Sequence, residues 1–214
     1  KGGHLASNLG SVELTMALHL CMDFPKDKLI FDVGHQAYTH KLLTGRREEF
    51  DHLREFGGLS GFPKTKESET DAFNTGHSST SISAAMGYAV ARDMRGTDEK
   101  VACVIGDGSL TGGMAYEAIN CLAQHRTGCV IILNDNEMSI SENVGSMARY
   151  LAIVRSKPEY NKLKAKTEQT LNKIPLFGKK IASIISKIKT NIKNSMYEST
   201  FFEDLGFNYM GPID

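Results

Sequence analysis

Three short apolar runs along the chain alternate with longer segments whose apolar residues recur at helical spacing. The runs are residues 29–33 (LIFDV), 101–106 (VACVIG) and 129–134 (CVIILN). Uninterrupted runs of this length, rich in β-branched residues, are typical of strands buried on both faces of a parallel sheet. The helical spacing covers residues 11–22, 79–94 and 112–125.

This alternation predicts an α/β fold, with a doubly wound, mostly parallel sheet and helices on both faces. In such sheets ligands bind beyond the carboxyl ends of the strands. Polar residues that follow the apolar runs are therefore the first candidates for a functional site.

Composition narrows the class of protein. The chain has 214 residues, of which 41% are hydrophobic, enough to bury a sizeable core. No apolar stretch reaches the roughly 18 to 20 residues that a membrane span requires, so no membrane span is expected. The four cysteines form no CxxC pair, which favours reduced thiols and a cytoplasmic location.

Charge is segregated along the chain although the net charge is zero. Residues 149–193 contain 12 Lys or Arg against two acidic residues. We predict an α/β domain from residues 1–148 and 198–214, interrupted by a basic, partly amphipathic and mobile helical insertion over residues 149–197. The apolar face of the insertion could pack on the protein's own core, on an anionic membrane surface or on a partner. Nucleic-acid binding is disfavoured, because aromatic residues for base stacking are missing.

An aspartate stands between two glycines where the second apolar run ends. Gly106, Asp107 and Gly108 fit neither a dinucleotide fingerprint nor a P-loop, because the third glycine comes one residue late and no Gly-Lys-Ser/Thr follows. A carboxylate can face phosphate groups if a divalent cation lies between them. The motif therefore indicates a metal site that needs a second ligand.

Asn136 is the candidate for that second ligand. It lies 29 residues after Asp107, which leaves room for one helix and one returning parallel strand. Such a crossover would bring both residues to the same edge of neighbouring strands. Their oxygens suit Mg²⁺. The alternative is that both residues only shape turns.

A GDG motif followed after about thirty residues by NDN is similar to the signature of thiamine diphosphate enzymes. The chain resembles the 1-deoxy-D-xylulose-5-phosphate synthase family in particular. The segments that carry the resemblance are GGHLASNLGSVELTMALH (2–19), FDVGHQAYTHKLLTGRR (31–47), DAFNTGHSSTSISAAMG (71–87), GDGSLTGGMAYEAIN, LNDNEMSISENVG and FEDLGFNYMGPID. Asn8 and Ser109 are small departures. The match covers the N-terminal third of such a synthase, so the pyrimidine-binding and C-terminal domains are expected to lie outside this chain.

The resemblance implies a role for each matching residue. The metal ligands would be Asp107, Asn136 and the backbone carbonyl of Met138. The cofactor-binding residues would be His35, Gly76, His77, Ser78, Gly108, Ser109 and Asn136. His4 and His35 would flank the reacting carbon as catalytic residues.

The resemblance also implies the reaction. Pyruvate and D-glyceraldehyde 3-phosphate would condense with loss of CO₂ to 1-deoxy-D-xylulose 5-phosphate, a precursor of isoprenoids, thiamine and pyridoxal. Thiamine diphosphate and Mg²⁺ would be the cofactors, and the full enzyme would be a homodimer. A glutamate that activates the aminopyrimidine ring lies in a following domain of the family, so this chain is expected to be inactive alone. A transketolase-type two-carbon transfer is the alternative reaction.

The histidines that directly follow a glycine are predicted to be functional rather than structural. A single Gly-His turn could use its imidazole only to hydrogen-bond a loop, but three such turns occur, at His4, His35 and His77. An imidazole can donate and accept protons near neutral pH. The remaining histidines, His19, His40, His52 and His125, are expected to be structural.

Overall fold

The chain divides into two compact units, Lys1–Asn143 and Val144–Asp214, and the computed structural model describes residues 3–135 and 201–210. The described elements of the first unit are α1 (Leu5–Leu9), α2 (Val12–Cys21), β1 (Lys28–Phe31), α3 (Tyr38–Leu43), a 3-10 helix (Glu48–His52), α4 (Ser81–Arg95), β2 (Val101–Gly106), α5 (Asp107–Leu110), α6 (Gly113–His125) and β3 (Val130–Asn134). The three predicted strands and three predicted helices are confirmed.

The three strands form one parallel sheet in the order β1-β2-β3. Phe31 of β1 pairs with Val104 of β2, and Gly106 of β2 pairs with Asn134 of β3. Parallel neighbours require crossover connections, which α3 and α4 provide between the first two strands and α6 between the last two. The carboxyl ends of β2 and β3 therefore lie at one edge of the sheet.

Helices cover both faces of this sheet, as predicted. On one face, Leu14 and Leu18 of α2 pack against a buried cluster that includes Phe31 and Val104. On the other face, Ser81 at the start of α4 lies beside the Cys103 thiol. Alternate residues of a strand point to opposite faces, so α2 and α4 lie on opposite sides. The buried positions of α4 and α6 are mostly small, which allows close packing: Ser81, Ile82, Ala85, Ala89, Ala115, Ala118, Ile119 and Leu122.

A buried charge network holds the segment that leads into α4. Arg46 makes a bidentate contact with the Asp71 carboxylate at 2.7 and 2.8 Å, and Lys41 contacts Glu67 at 2.5 Å. Burial opposes ionisation of Asp71, but hydrogen bonds from His40 and Arg46 bring its pKa well below its usual range. Burial lowers the pKa of Lys41, while Glu67 acts in the opposite direction. The network therefore fixes residues 67–71 against α3.

Two histidines extend this network into the core. His19 Nε2 lies 2.9 Å from His40 Nδ1, and both rings pack against Phe24. Burial, and then the neighbouring His40, lower the pKa of His19 to about 4. His19 is therefore neutral at physiological pH.

The described part of the second unit is a short segment. Helix α7 (Phe201–Asp204) is followed by a turn, and the rings of Phe202 and Tyr209 stack with centroids 5.9 Å apart. In the described ranges no helix has the length and apolarity needed to cross a bilayer. The predicted insertion over residues 149–197 lies outside the described residues, and the domain boundaries stay a prediction.

Replacing Arg46 with Met should lower the free energy of unfolding by roughly 3 to 5 kcal/mol, because it leaves the Asp71 carboxylate buried without its main cation. The measurement is urea denaturation followed by circular dichroism. Arg95→Met is the matched control, since Arg95 pairs with Glu99 at the surface and its loss should matter far less. Equal losses in both variants would contradict the role given to the network.

Candidate active site

The carboxylate of Asp32 joins the end of β1 to the start of α4. It accepts the backbone N–H of Ser79 at 2.8 Å and that of Ser81 at 3.0 Å, and Asp32 is 1% exposed. A carboxylate satisfies the unpaired N–H groups of a helix start and complements its dipole. Because Asp32 takes these two groups, α4 begins at Ser81, two residues later than predicted, and the turn at residues 76–79 lies beside the end of β1.

Ser79 joins the same turn to the loop that follows β2. Its hydroxyl donates to the backbone carbonyl of Ser109 at 2.7 Å, and its φ is 66°. A Cβ at Gly112 would lie 2.1 Å from the Ser79 Oγ, so only glycine permits this approach. Two of the predicted cofactor-binding segments, Gly76–Ser78 and Gly108–Ser109, therefore meet at one edge of the sheet.

The turn that carries His35 is strained. Val33 has a φ of 57°, a left-handed conformation that costs a β-branched residue roughly 1 to 3 kcal/mol. Gly34 has a φ of 89°, and a Cβ there would lie 2.0 Å from the Thr75 Oγ1. Contact with Thr75 on one side and the anchored Asp32 on the other hold the turn in place. The Gly-His turns at His35 and His77 are thereby brought together.

The two candidate catalytic histidines lie next to each other. The ring centroids of His4 and His35 are 5.0 Å apart, with the rings at 74°. Within the described ranges the buried Nδ1 of His35 makes no hydrogen bond. Burial and the nearby His4 lower the pKa of His35, and Asp32 opposes them. A neutral imidazole with an unpaired nitrogen can exchange a proton with a ligand.

The turn at residues 76–78 presents backbone donors. Among the contacts within residues 3–135 and 201–210, the N–H groups of Gly76, His77 and Ser78 donate no hydrogen bond. Open space surrounds Gly76, where a Cβ would meet nothing within 4 Å. The His77 Nδ1 contacts the Ser78 carbonyl at 2.9 Å and thereby stabilises the turn itself. Successive free N–H groups in a turn suit an anion.

Asp107 lies at the predicted edge. It follows β2 directly and begins α5, and the pairing of Gly106 with Asn134 places the ends of β2 and β3 side by side. Asn136 and Met138 lie outside the described residues, so the three-ligand set stays a prediction. In the described part of the chain, no three His, Cys, Asp or Glu side chains are placed to hold a metal ion.

Sequence reasoning missed the residues that assemble this edge. Asp32, Ser79 and Gly112 were not singled out for a role, although Asp32 follows β1 just as Asp107 follows β2. An acidic residue near the end of an apolar run was the sequence signal that could have identified Asp32. Nothing local marks Ser79, because its partners are 47 and 30 residues away in sequence.

Comparison with known proteins gives the family. The sequence family described as 1-deoxy-D-xylulose-5-phosphate synthase matches residues 1–214. The chain belongs to the 1-deoxy-D-xylulose-5-phosphate synthase family. Two curated members of the family are similar along all of this chain: one from Syntrophomonas wolfei subsp. wolfei is 57% identical over 213 residues, and one from Clostridium kluyveri is 58% identical over 213 residues.

The chain spans about a third of the length of these members, 33% and 34% respectively. Among solved structures, a transketolase variant from Pichia stipitis is 22% identical, with a TM-score of 0.44, over 53% of this chain and 20% of that one.

Replacing Asp32 with Asn should release the turn at residues 76–79, because an amide presents one acceptor oxygen where the carboxylate presents two. We expect a loss of about 1 to 3 kcal/mol in unfolding free energy and faster amide exchange at Ser79 and Ser81. Native-state hydrogen exchange by NMR measures both.

Asp27→Asn is the matched control for this change. Asp27 is also buried and also accepts two backbone N–H groups, from Asp23 and Lys100. It should lose comparable stability without selective exchange at Ser79 and Ser81. Selective exchange in the control, or none in Asp32→Asn, would contradict the assignment.

Proposed function

We propose that this chain forms the diphosphate- and metal-binding half of the active site of a 1-deoxy-D-xylulose-5-phosphate synthase. The enzyme, a thiamine diphosphate-dependent transferase, condenses pyruvate with D-glyceraldehyde 3-phosphate, with loss of CO₂, to 1-deoxy-D-xylulose 5-phosphate. The observation that carries the proposal is membership of this family along residues 1–214. The convergence of three turns at one edge of the sheet supports it. The family match favours this reaction over a transketolase-type transfer.

The residues present at this edge fit a diphosphate with a bridging cation. The unpaired N–H groups of residues 76–78 suit phosphate oxygens, and Gly108 and Ser109 lie across from them through the Ser79 contact. The Asp107 carboxylate would repel a bare diphosphate but would bind Mg²⁺. Asn136 and the Met138 carbonyl would complete the protein ligands.

His4 and His35 would hold and move protons at the reacting end of the cofactor. When bound, thiamine diphosphate supplies the carbanion chemistry that side chains cannot. The lowered pKa of His35 keeps its imidazole neutral near pH 7, so it can accept a proton at once. The adjacent His4, exposed at the surface, can exchange protons with water.

A homodimer in the cytoplasm is the proposed assembly of the full enzyme. Large apolar side chains of α1 and α2 are exposed in this unit, with Leu5 at 69%, Leu9 at 62% and Leu20 at 88%. Large apolar side chains exposed on two helices that follow each other in the chain suit an interaction surface.

Asp107→Ala should abolish Mg²⁺-dependent binding of thiamine diphosphate. Removing the carboxylate leaves the cation without its one charged protein ligand, and a loss of at least 100-fold in affinity, about 2.7 kcal/mol, is expected. Isothermal titration calorimetry with and without Mg²⁺ measures it. Asp51→Ala, at an exposed carboxylate of the 3-10 helix, is the control. Unchanged Mg²⁺ dependence in Asp107→Ala would refute the assignment.

The 214-residue chain alone should show no synthase turnover. It spans about a third of the length of its relatives, and the glutamate that the family resemblance implies is expected in a following domain. The assay is pyruvate decarboxylation with purified chain of verified mass, with a full-length family member as the positive control. Turnover above background would show that the chain holds a complete site.

A further inference from the structure

The Asn8 side chain hydrogen-bonds to the backbone of both members of the histidine pair. It is 5% exposed at the end of α1. Its Nδ2 donates to the backbone carbonyl of His4 at 3.0 Å and to that of His35 at 2.7 Å. Its Oδ1 accepts the backbone N–H of Tyr38, the first residue of α3, at 3.0 Å. One amide thus connects three segments that meet at this site.

The chemistry of these contacts selects an amide of this length. Two carbonyls need two donors, and one N–H needs one acceptor, which an asparagine NH₂ and its carbonyl oxygen supply together. A carboxylate would place a second acceptor against two carbonyls, and a hydroxyl offers only one proton. The contacts also fix which end of the Asn8 amide is nitrogen.

Neighbouring contacts attach the same segments without touching either imidazole. The Ser11 hydroxyl lies 3.1 Å from the Asn8 carbonyl and 3.0 Å from the Gln36 carbonyl. A Cβ at Gly3, where φ is 124°, would lie 2.6 Å from the Tyr38 hydroxyl. The chain before α1 is therefore packed against α3, and the Asn8 amide sets its distance from the turn at His35.

We propose that Asn8 is a positioning residue that sets the separation and mutual angle of the His4 and His35 imidazoles. It acts through its hydrogen bonds to the two backbone carbonyls. This positioning role requires no contact with either imidazole ring. Without the amide, the carbonyls of His4 and His35 lose their shared donor. The exposed His4 is then connected to the turn after β1 through the indirect contacts of Ser11 and Gly3. The relevance of this placement to catalysis rests on the proposed function, but the placement itself does not.

The pair offers a direct readout, because different neighbours lower the pKa values of His35 and His19. Burial and His4 lower the pKa of His35, with Asp32 the charged group that opposes them. In Asn8→Ser, His4 should move away and the Nδ1 of His35 should gain solvent. Both changes should raise the pKa of His35 toward its usual value of 6.5. His19, whose pKa is about 4 through burial and His40, should not change.

The experiment is NMR titration of the histidine-labelled 214-residue chain, without cofactor, from about pH 3 to 8, a range that includes the pKa of His19. Asn120→Ser, at an exposed position of α6, is the matched control. A selective rise for His35 in Asn8→Ser, with loss of the His4–His35 nuclear Overhauser contact, supports the proposal. An unchanged His35, or an equal shift of His19, overturns it.

A second measurement needs no variant. Both side-chain amide protons of Asn8 should exchange slowly with solvent in the unmodified chain, because each is donated to a backbone carbonyl and the side chain is buried. Exchange as fast as that of Asn120 overturns the proposal even if Asn8→Ser does not fold. Titration of the unmodified chain with thiamine diphosphate and Mg²⁺ separates the proposed function from the positioning role of Asn8. Absence of binding would count against the proposed function and would leave the placement of the two histidines unaffected.

Discussion

The candidate site depends on one buried carboxylate bound to the start of one helix. Asp32 satisfies the N–H groups of Ser79 and Ser81, and this contact decides where α4 begins. It also sets where the turn at residues 76–78 lies relative to the sheet. Without it, the donors proposed for the diphosphate would have no fixed relation to the turn that carries His35.

The other contacts of the site extend from this anchor. Ser79 carries the connection on to Ser109 beyond β2, and Thr75 presses against Gly34 beyond β1. The Arg46–Asp71 network supports the contact between Thr75 and Gly34. The Asp71 carboxylate also accepts the backbone N–H of Lys64, and the Lys64 ammonium contacts the Thr75 carbonyl at 3.0 Å. Buried polar groups far from the chemistry therefore determine its geometry.

Strain is concentrated where the site is assembled. Val33 and Ser79 both have a positive φ, and each lies next to a group that we assign to the cofactor. Such conformations persist only where surrounding contacts determine them, which Asp32 and the close approach of Gly112 to Ser79 provide. The strained turns explain how short loops of a parallel sheet can present several donors toward one ligand.

The sequence by itself determined the strands, the helices on both faces and the sheet edge at which Asp107 lies, because hydrophobic periodicity and strand ends are local properties. Family resemblance added the candidate histidines. Only the tertiary structure decided that Asp32 binds α4, that Ser79 bridges two loops and that Asn8 holds His4 and His35 together. Apart from the local bond between Asn8 and His4, these contacts join residues 27 to 49 positions apart. No local pattern encodes a hydrogen bond between side chain and backbone over that separation.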